Sequence, residues 1–197
     1  MTISPLTISP LKIGMNIIHT EEFKNISETN AEFLTFLENN PFGTHVYIGP
    51  RRSGITTMCI TAAIWASIML DSGNVLFLTT NTLTREIGRQ IVHYQNTVVN
   101  LYRKAPISVY GYTDNYKLRG KQFDVVVCDN FGFVKKRLNE RDNPKILDVI
   151  GVFRPKLTVV GATPSTNYMS DDGELKDLWT STAPNTFKRM FLPYEEV

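Results

Sequence analysis

Gly49-Pro50-Arg51-Arg52-Ser53-Gly54-Ile55-Thr56-Thr57 is the stretch on which the fold turns. It follows the phosphate-cradling pattern G-x-x-x-x-G-K-[ST] at every fixed position but one, where Ile55 replaces the lysine. Gly49 and Gly54 permit backbone turns that a side chain would obstruct, so successive N–H groups can converge on phosphate oxygens. A helix starting near Ile55 would add its positive end, and Thr56 stands where a hydroxyl holds magnesium. None of these contributions needs the lysine, yet its loss removes the cation that grips a nucleotide's outer phosphates. The bland alternative is a strand-to-helix turn rich in glycine and arginine.

On either side of this loop, short apolar runs alternate with helical stripes, which predicts an α/β fold with a mainly parallel central sheet flanked by helices. Helices are expected over Ser27 to Asn40, Ile55 to Asp71, Leu83 to Lys104, Lys145 to Val152 and Glu174 to Thr182. Strands are expected over His45 to Gly49, Asn74 to Thr79, Ile107 to Tyr112, Phe123 to Cys128, Leu157 to Gly161 and Phe187 to Leu192. A strand before the loop and a helix after it are the surroundings a phosphate loop requires.

Two further signals lie downstream. Phe123-Asp124-Val125-Val126-Val127-Cys128-Asp129-Asn130 is an apolar run ending in an acid, the Walker B arrangement in which Asp129 helps to hold magnesium. The next position ordinarily carries a glutamate that polarises the attacking water; Asn130 can hydrogen-bond water but cannot take its proton. On its own this stretch also reads as a buried strand with an Asp-Asn turn. Val159-Val160-Gly161-Ala162-Thr163-Pro164-Ser165 is a buried strand followed by small hydroxyl residues, where helicase-like motors sense the γ-phosphate.

Composition bounds the setting. With 197 residues, 42% hydrophobic and 20% charged, the chain suits one globular domain, here 27–197, preceded by a segment, 1–26, read as an extended arm. That arm opens with the tandem repeat Thr2-Ile3-Ser4-Pro5-Leu6 and Thr7-Ile8-Ser9-Pro10-Leu11, which is no signal peptide. A formal charge of +2 does not announce nucleic-acid binding. Cys59 and Cys128 fall in apolar stretches and read as buried thiols in a reducing compartment. The apolar run from Met58 to Leu70 is too short to span a membrane. His19, His45 and His93 lack metal-ligand spacing. The basic run Val134-Lys135-Lys136-Arg137 with Arg141, and the pair Arg85 and Arg89, read first as solvated charge.

Taken together, the motifs resemble one family. Pro50-Arg51-Arg52-Ser53-Gly54-Ile55-Thr56 is similar to the P-R-R-x-G-K-T loop of the viral large terminase subunit, the DNA-packaging ATPase of tailed phages and herpesviruses. Leu118-Arg119-Gly120-Lys121-Gln122-Phe123-Asp124 resembles its R-G-x-x-F-D lead-in to the Walker B strand. Phe133 and Ala162-Thr163-Pro164-Ser165 match the aromatic and coupling positions that follow. The order and spacing hold across residues 45–194.

The resemblance implies a P-loop NTPase of the ASCE, or RecA-like, class. It implies ATP bound by residues 49 and 51–57, namely Gly49, Arg51, Arg52, Ser53, Gly54, Ile55, Thr56 and Thr57, with Thr163 as coupling residue and magnesium held by Thr56 and Asp129. Arg51, or Arg52 beside it, would contact the γ-phosphate; Asp129, Asn130 and Arg51 occupy the catalytic positions. Both Walker motifs are degenerate, at Ile55 and at Asn130, and the end at Val197 leaves no room for the nuclease domain that follows the motor in that family. Three functions are therefore weighed: a pseudo-ATPase serving as a binding or regulatory module, a working ATPase in which Arg51 or Arg52 replaces the lysine, and a structural virion or scaffold protein. The first is favoured. Implied partners are viral DNA, a small terminase, portal or separate nuclease subunit, and further copies of the chain. The implied setting is the infected cell, or the virion, and not a membrane.

Overall fold

The structure is a computed structural model that describes residues 9–20, 28–49, 52–69, 73–98, 105–131, 146–163 and 187–191. Arg51, Phe133, the basic run 134–137 with Arg141, the segment after Thr163, the expected helix 174–182 and the last six residues lie outside the described residues.

Runs rich in Val, Ile, Leu and Phe form the strands β1 (Gly43–Ile48), β2 (Val75–Thr79), β3 (Ile107–Gly111), β4 (Val125–Cys128), β5 (Leu157–Ala162) and β6 (Phe187–Phe191). They pair in the order β3-β2-β4-β5-β1-β6, every neighbour parallel. β5 is therefore inserted between β1, which leads into the glycine-rich loop, and β4, which ends at Asp129. β2, β4 and β5 are buried along their whole length, as strands covered on both faces must be.

Side chains alternate between two cores. Tyr47, Phe77, Val127 and Val159 face one side; Val46, Leu78, Val126 and Val160 face the other. The first face carries the helices α1 (Pro10–Thr20), α2 (Glu28–Asn39), α3 (Ile55–Met69) and α4 (Thr84–Val98). The second carries α5 (Ile146–Phe153) and a 3-10 turn, Tyr112–Leu118. α3 is buried continuously from Met58 to Ser67, because it lies between the sheet and the helices α1, α2 and α4. Its buried hydroxyls stay satisfied within the helix, Thr61 donating to Thr57 O at 2.8 Å and Ser67 to Ile64 O at 2.7 Å.

Two local features depart from expectation. Residues 10–20, assigned to an extended arm, form α1 and bury Ile13 and Ile17 beside α3. Pro10 does not break this helix because it opens it, where a missing N–H costs nothing. The 3-10 turn at Tyr112–Leu118 was not expected at all. Asp124, inside the apolar run before β4, has a structural duty at the end of the sheet remote from the glycine-rich loop. It accepts the Asn74 N–H at 3.2 Å and pairs with Lys156 at 3.0 Å, joining the entries of β2, β4 and β5. Cys59 and Cys128 are both buried free thiols. Among the described residues no helix is long and apolar enough to cross a membrane.

Candidate functional site

The carboxyl ends of the parallel strands and the start of α3 meet at one edge of the sheet, where open α/β folds place their ligands. Gly49 leaves β1 with its N–H on Ala162 O at 3.1 Å, which sets the mouth of the loop beside Thr163 at the end of β5. Arg52 then adopts a left-handed conformation at φ 65° and Gly54 another at 84°. A non-glycine residue held there costs about 1–3 kcal/mol and marks a backbone fixed by its surroundings. Gly54 is required on a second count: a Cβ there would stand 3.0 Å from Asn30 Nδ2.

Asn30, on α2, braces the loop. Its Nδ2 donates to Ser53 O at 3.0 Å, while its Oδ1 accepts from the Tyr47 hydroxyl at the core end of β1. Tyr47 in turn stacks on Phe33 at 4.6 Å, and burial pushes its phenol pKa well up. Met58 N–H to Gly54 O, at 2.9 Å, is the first bond of α3. The N–H groups of Ile55, Thr56 and Thr57 thus have no acceptor within the helix and face its positive end. Ser53 Oγ is buried without a hydrogen-bond partner among the described residues. An orphaned hydroxyl beside three such N–H groups suits an anion.

Asp129 is fully buried just past β4 and gathers the rest of the site. Thr56 Oγ1 donates to its Oδ1 at 3.0 Å, and Thr79 Oγ1 and Asn130 Nδ2 donate to its Oδ2 at 3.1 and 2.8 Å. Its own N–H reaches Leu78 O at 2.8 Å, and Tyr112 donates to its carbonyl at 2.8 Å. Desolvation raises the carboxyl pKa above the ordinary aspartate range, and the bonds from Thr56, Thr79 and Asn130 oppose that rise. Asn130 also takes the left-handed conformation, φ 54°, which asparagine tolerates better than most residues. The Cys59 thiol below the loop is pushed well up, by burial first and then by Asp129 and Cys128, so it stays a thiol.

Of the expected site residues, Gly49, Ser53, Gly54, Thr56, Asp129 and Thr163 come together at this edge, with Asn130 bonded to Asp129. Ile55 divides its roles. Its N–H stands at the open start of α3, but its side chain is 6% exposed and packs into the core toward Gly161, away from the site. Thr57 lies in the first turn of α3, where its carbonyl accepts from Thr61. Arg52 is exposed at the loop's tip; Arg51 lies outside the described residues. Asn30, Thr79 and Tyr112 escaped sequence reasoning. Thr79 ends an apolar strand, the one position of that run where a hydroxyl could have been flagged; Asn30 and Tyr112 carry no such signal.

A phosphate group and a hard cation would fit these residues. The buried partnerless Ser53 hydroxyl and the helix start fit phosphate oxygens, and the Thr56–Asp129 oxygen pair fits a hard cation.

No protein-family model and no curated protein sequence matches the chain. Among solved structures it resembles the large terminase ATPase domain of Thermus phage P74-26, with TM-score 0.52 and 10% identity, covering 89% of this chain and 84% of that one. It also resembles the Sulfolobus solfataricus SWI2/SNF2 ATPase core, solved in complex with double-stranded DNA, with TM-score 0.51 and 12% identity over 91% of this chain. The chain spans about a third of that larger core, 36%. At such identities the likeness is one of fold: the chain has the P-loop ATPase-like, RecA-like α/β architecture.

Proposed function

We propose that this chain is a terminase-like module of a viral DNA-packaging machine, one that keeps the phosphate and magnesium end of the ATPase site and has lost its hydrolytic end. It then acts as a nucleotide-responsive binding or regulatory component rather than a motor. The observation that carries this reading is the Asn130 amide, which donates to Asp129 Oδ2 at 2.8 Å. An amide in that place orients the magnesium-holding acid but accepts no proton from water, and loss of such a base lowers a rate by about 100- to 10,000-fold. Ile55, turned into the core, supports the same reading.

On this reading the N–H groups of Ile55, Thr56 and Thr57, the Ser53 hydroxyl and the Arg51–Arg52 pair hold ATP phosphates, and Thr56 and Asp129 hold magnesium. A magnesium ion held there would neutralise phosphate charge. Partners are DNA and other packaging components in the infected cell: a small terminase, a portal, a separate nuclease subunit or further copies of the chain.

A second reading, residual hydrolysis with an arginine replacing the lysine, is favoured by Arg52, whose exposed side chain leaves the loop from a left-handed position. One experiment separates the two: ATP and ADP binding by calorimetry with magnesium, beside phosphate release with and without DNA. Binding without turnover is expected. Turnover above background moves the assignment to the second reading, and absence of both binding and turnover removes the nucleotide from the proposal.

A further inference from the structure

On α4, Arg85, Arg89 and His93 recur at every fourth residue and are all exposed. Four residues of helix advance about 6 Å, so the row runs about 12 Å along one side of α4. With Thr84, Gly88 and Val92 of the same helix, and Val109 of β3, these side chains line one open groove at the sheet's edge. Among the described residues neither guanidinium has an ion pair or hydrogen bond. Three other surface cations are engaged: Lys117 on Asp114 at 2.9 Å, Lys156 on Asp124 at 3.0 Å, and Lys121 over the Tyr110 ring at 4.8 Å. The acid of this helix, Glu86, stands three residues before Arg89 and so lies beside the row, yet among the described residues it forms no ion pair with Arg89. Val92, 57% exposed, leaves the groove floor uncovered.

We propose that this groove takes the phosphate backbone of duplex DNA; the proposal rests on the DNA-associated function above and assigns its contact surface. Two guanidiniums one helical turn apart, lying along an open groove, suit a polyanion rather than a small enclosed ligand. Phosphates of one strand advance about 3.4 Å along a duplex, so two guanidiniums about 6 Å apart reach about two of them. The floor of Gly88, Val92 and Val109 carries no Phe, Tyr or Trp on which unpaired bases stack, as single-strand binders need. The contact is therefore to backbone, without sequence preference.

Fluorescence anisotropy of the full chain with a short mixed-sequence duplex, titrated across salt, tests it. Removing both guanidiniums with R85A/R89A is expected to lower the slope of log affinity against log salt by about 1.8, so that the gap between the two proteins narrows about twelvefold from 50 to 200 mM salt. R85K/R89K keeps the slope, and K12A, at an exposed lysine on α1, behaves as the parent. The proposal is overturned if the parent binds no duplex at the low-salt end, if the double alanine variant keeps the parental slope, or if single strands or polyglutamate compete as well as duplex. Nucleotide calorimetry on the same samples keeps the two readings apart. A parent that binds ATP but no duplex removes the groove; a parent that binds duplex but no ATP removes the nucleotide module.

Discussion

Ile55→Lys returns the missing cation to the loop, and the structure sets its consequences in both directions. Ile55 is 6% exposed within the core cluster, and its Cγ2 sits 2.7 Å from where a Cβ on Gly161 would stand, packed on bare β5 backbone. A lysine stem keeps part of that contact, but its ammonium must leave the core along the loop. The lost branched contact and the strained exit are expected to destabilise the nucleotide-free protein by about 1–3 kcal/mol. For a chain of this size that lowers the melting temperature by about 2–12 °C. With ATP and magnesium the balance reverses, because a charge-assisted bond to phosphate contributes about 1.5–3 kcal/mol. That tightens the dissociation constant about 10- to 150-fold. Scanning calorimetry without nucleotide and titration calorimetry with it, on parent and variant, read both effects. A variant that melts with the parent refutes the burial of Ile55. One that melts lower yet binds no tighter refutes the phosphate cradle.

Other outcomes follow from single contacts. Gly161→Ala places a Cβ 2.4 Å from Cys59 Sγ and 2.7 Å from Ile55 Cγ2, so α3 must shift; a loss of about 1–3 kcal/mol in urea unfolding is expected, and parental stability would show that the packing is looser. Asp129 has a raised folded-state pKa, so its contribution is present below the ordinary aspartate value and is lost as pH rises through the folded value. Asp129→Asn should therefore gain on the parent in unfolding midpoint as pH rises from the acid range to neutrality while losing magnesium-dependent nucleotide binding; a constant difference across pH contradicts the desolvated carboxyl. Asp124, held below the usual range first by its bond from Lys156, has the opposite sign: Asp124→Asn should cost stability near neutrality and cost progressively less as pH falls through the folded value.

Elements with strong local signatures were legible in the chain. The strand runs at Val75–Thr79 and Val125–Cys128 are so apolar that only a doubly covered strand accommodates them. Gly54 announced its left-handed turn, and Thr56 and Asp129 were placed at one site although they are far apart in the chain. α1 was missed because a proline reads as a break unless its position at a helix start is known. The bracing of the loop by Asn30, and of Asp129 by Thr79 and Tyr112, left no trace in periodicity. Each is a single polar side chain whose partner is distant in sequence.

The sequence by itself determined the alternation of strand and helix and the chemistry available at the loop: glycine freedom at 49 and 54, a hydroxyl at 56, an acid at 129, and no cation at 55 or base at 130. Those properties belong to residue types and local spacing. Tertiary structure alone decided where each group points. It set β5 between the two motif strands, turned Ile55 into the core over Gly161, and closed Thr56 and Thr79 on the buried Asp129 carboxylate. Such choices depend on which segments exclude water from one another and which donors then remain to satisfy a buried charge. That is a property of the assembled sheet and helices, and no single segment carries it.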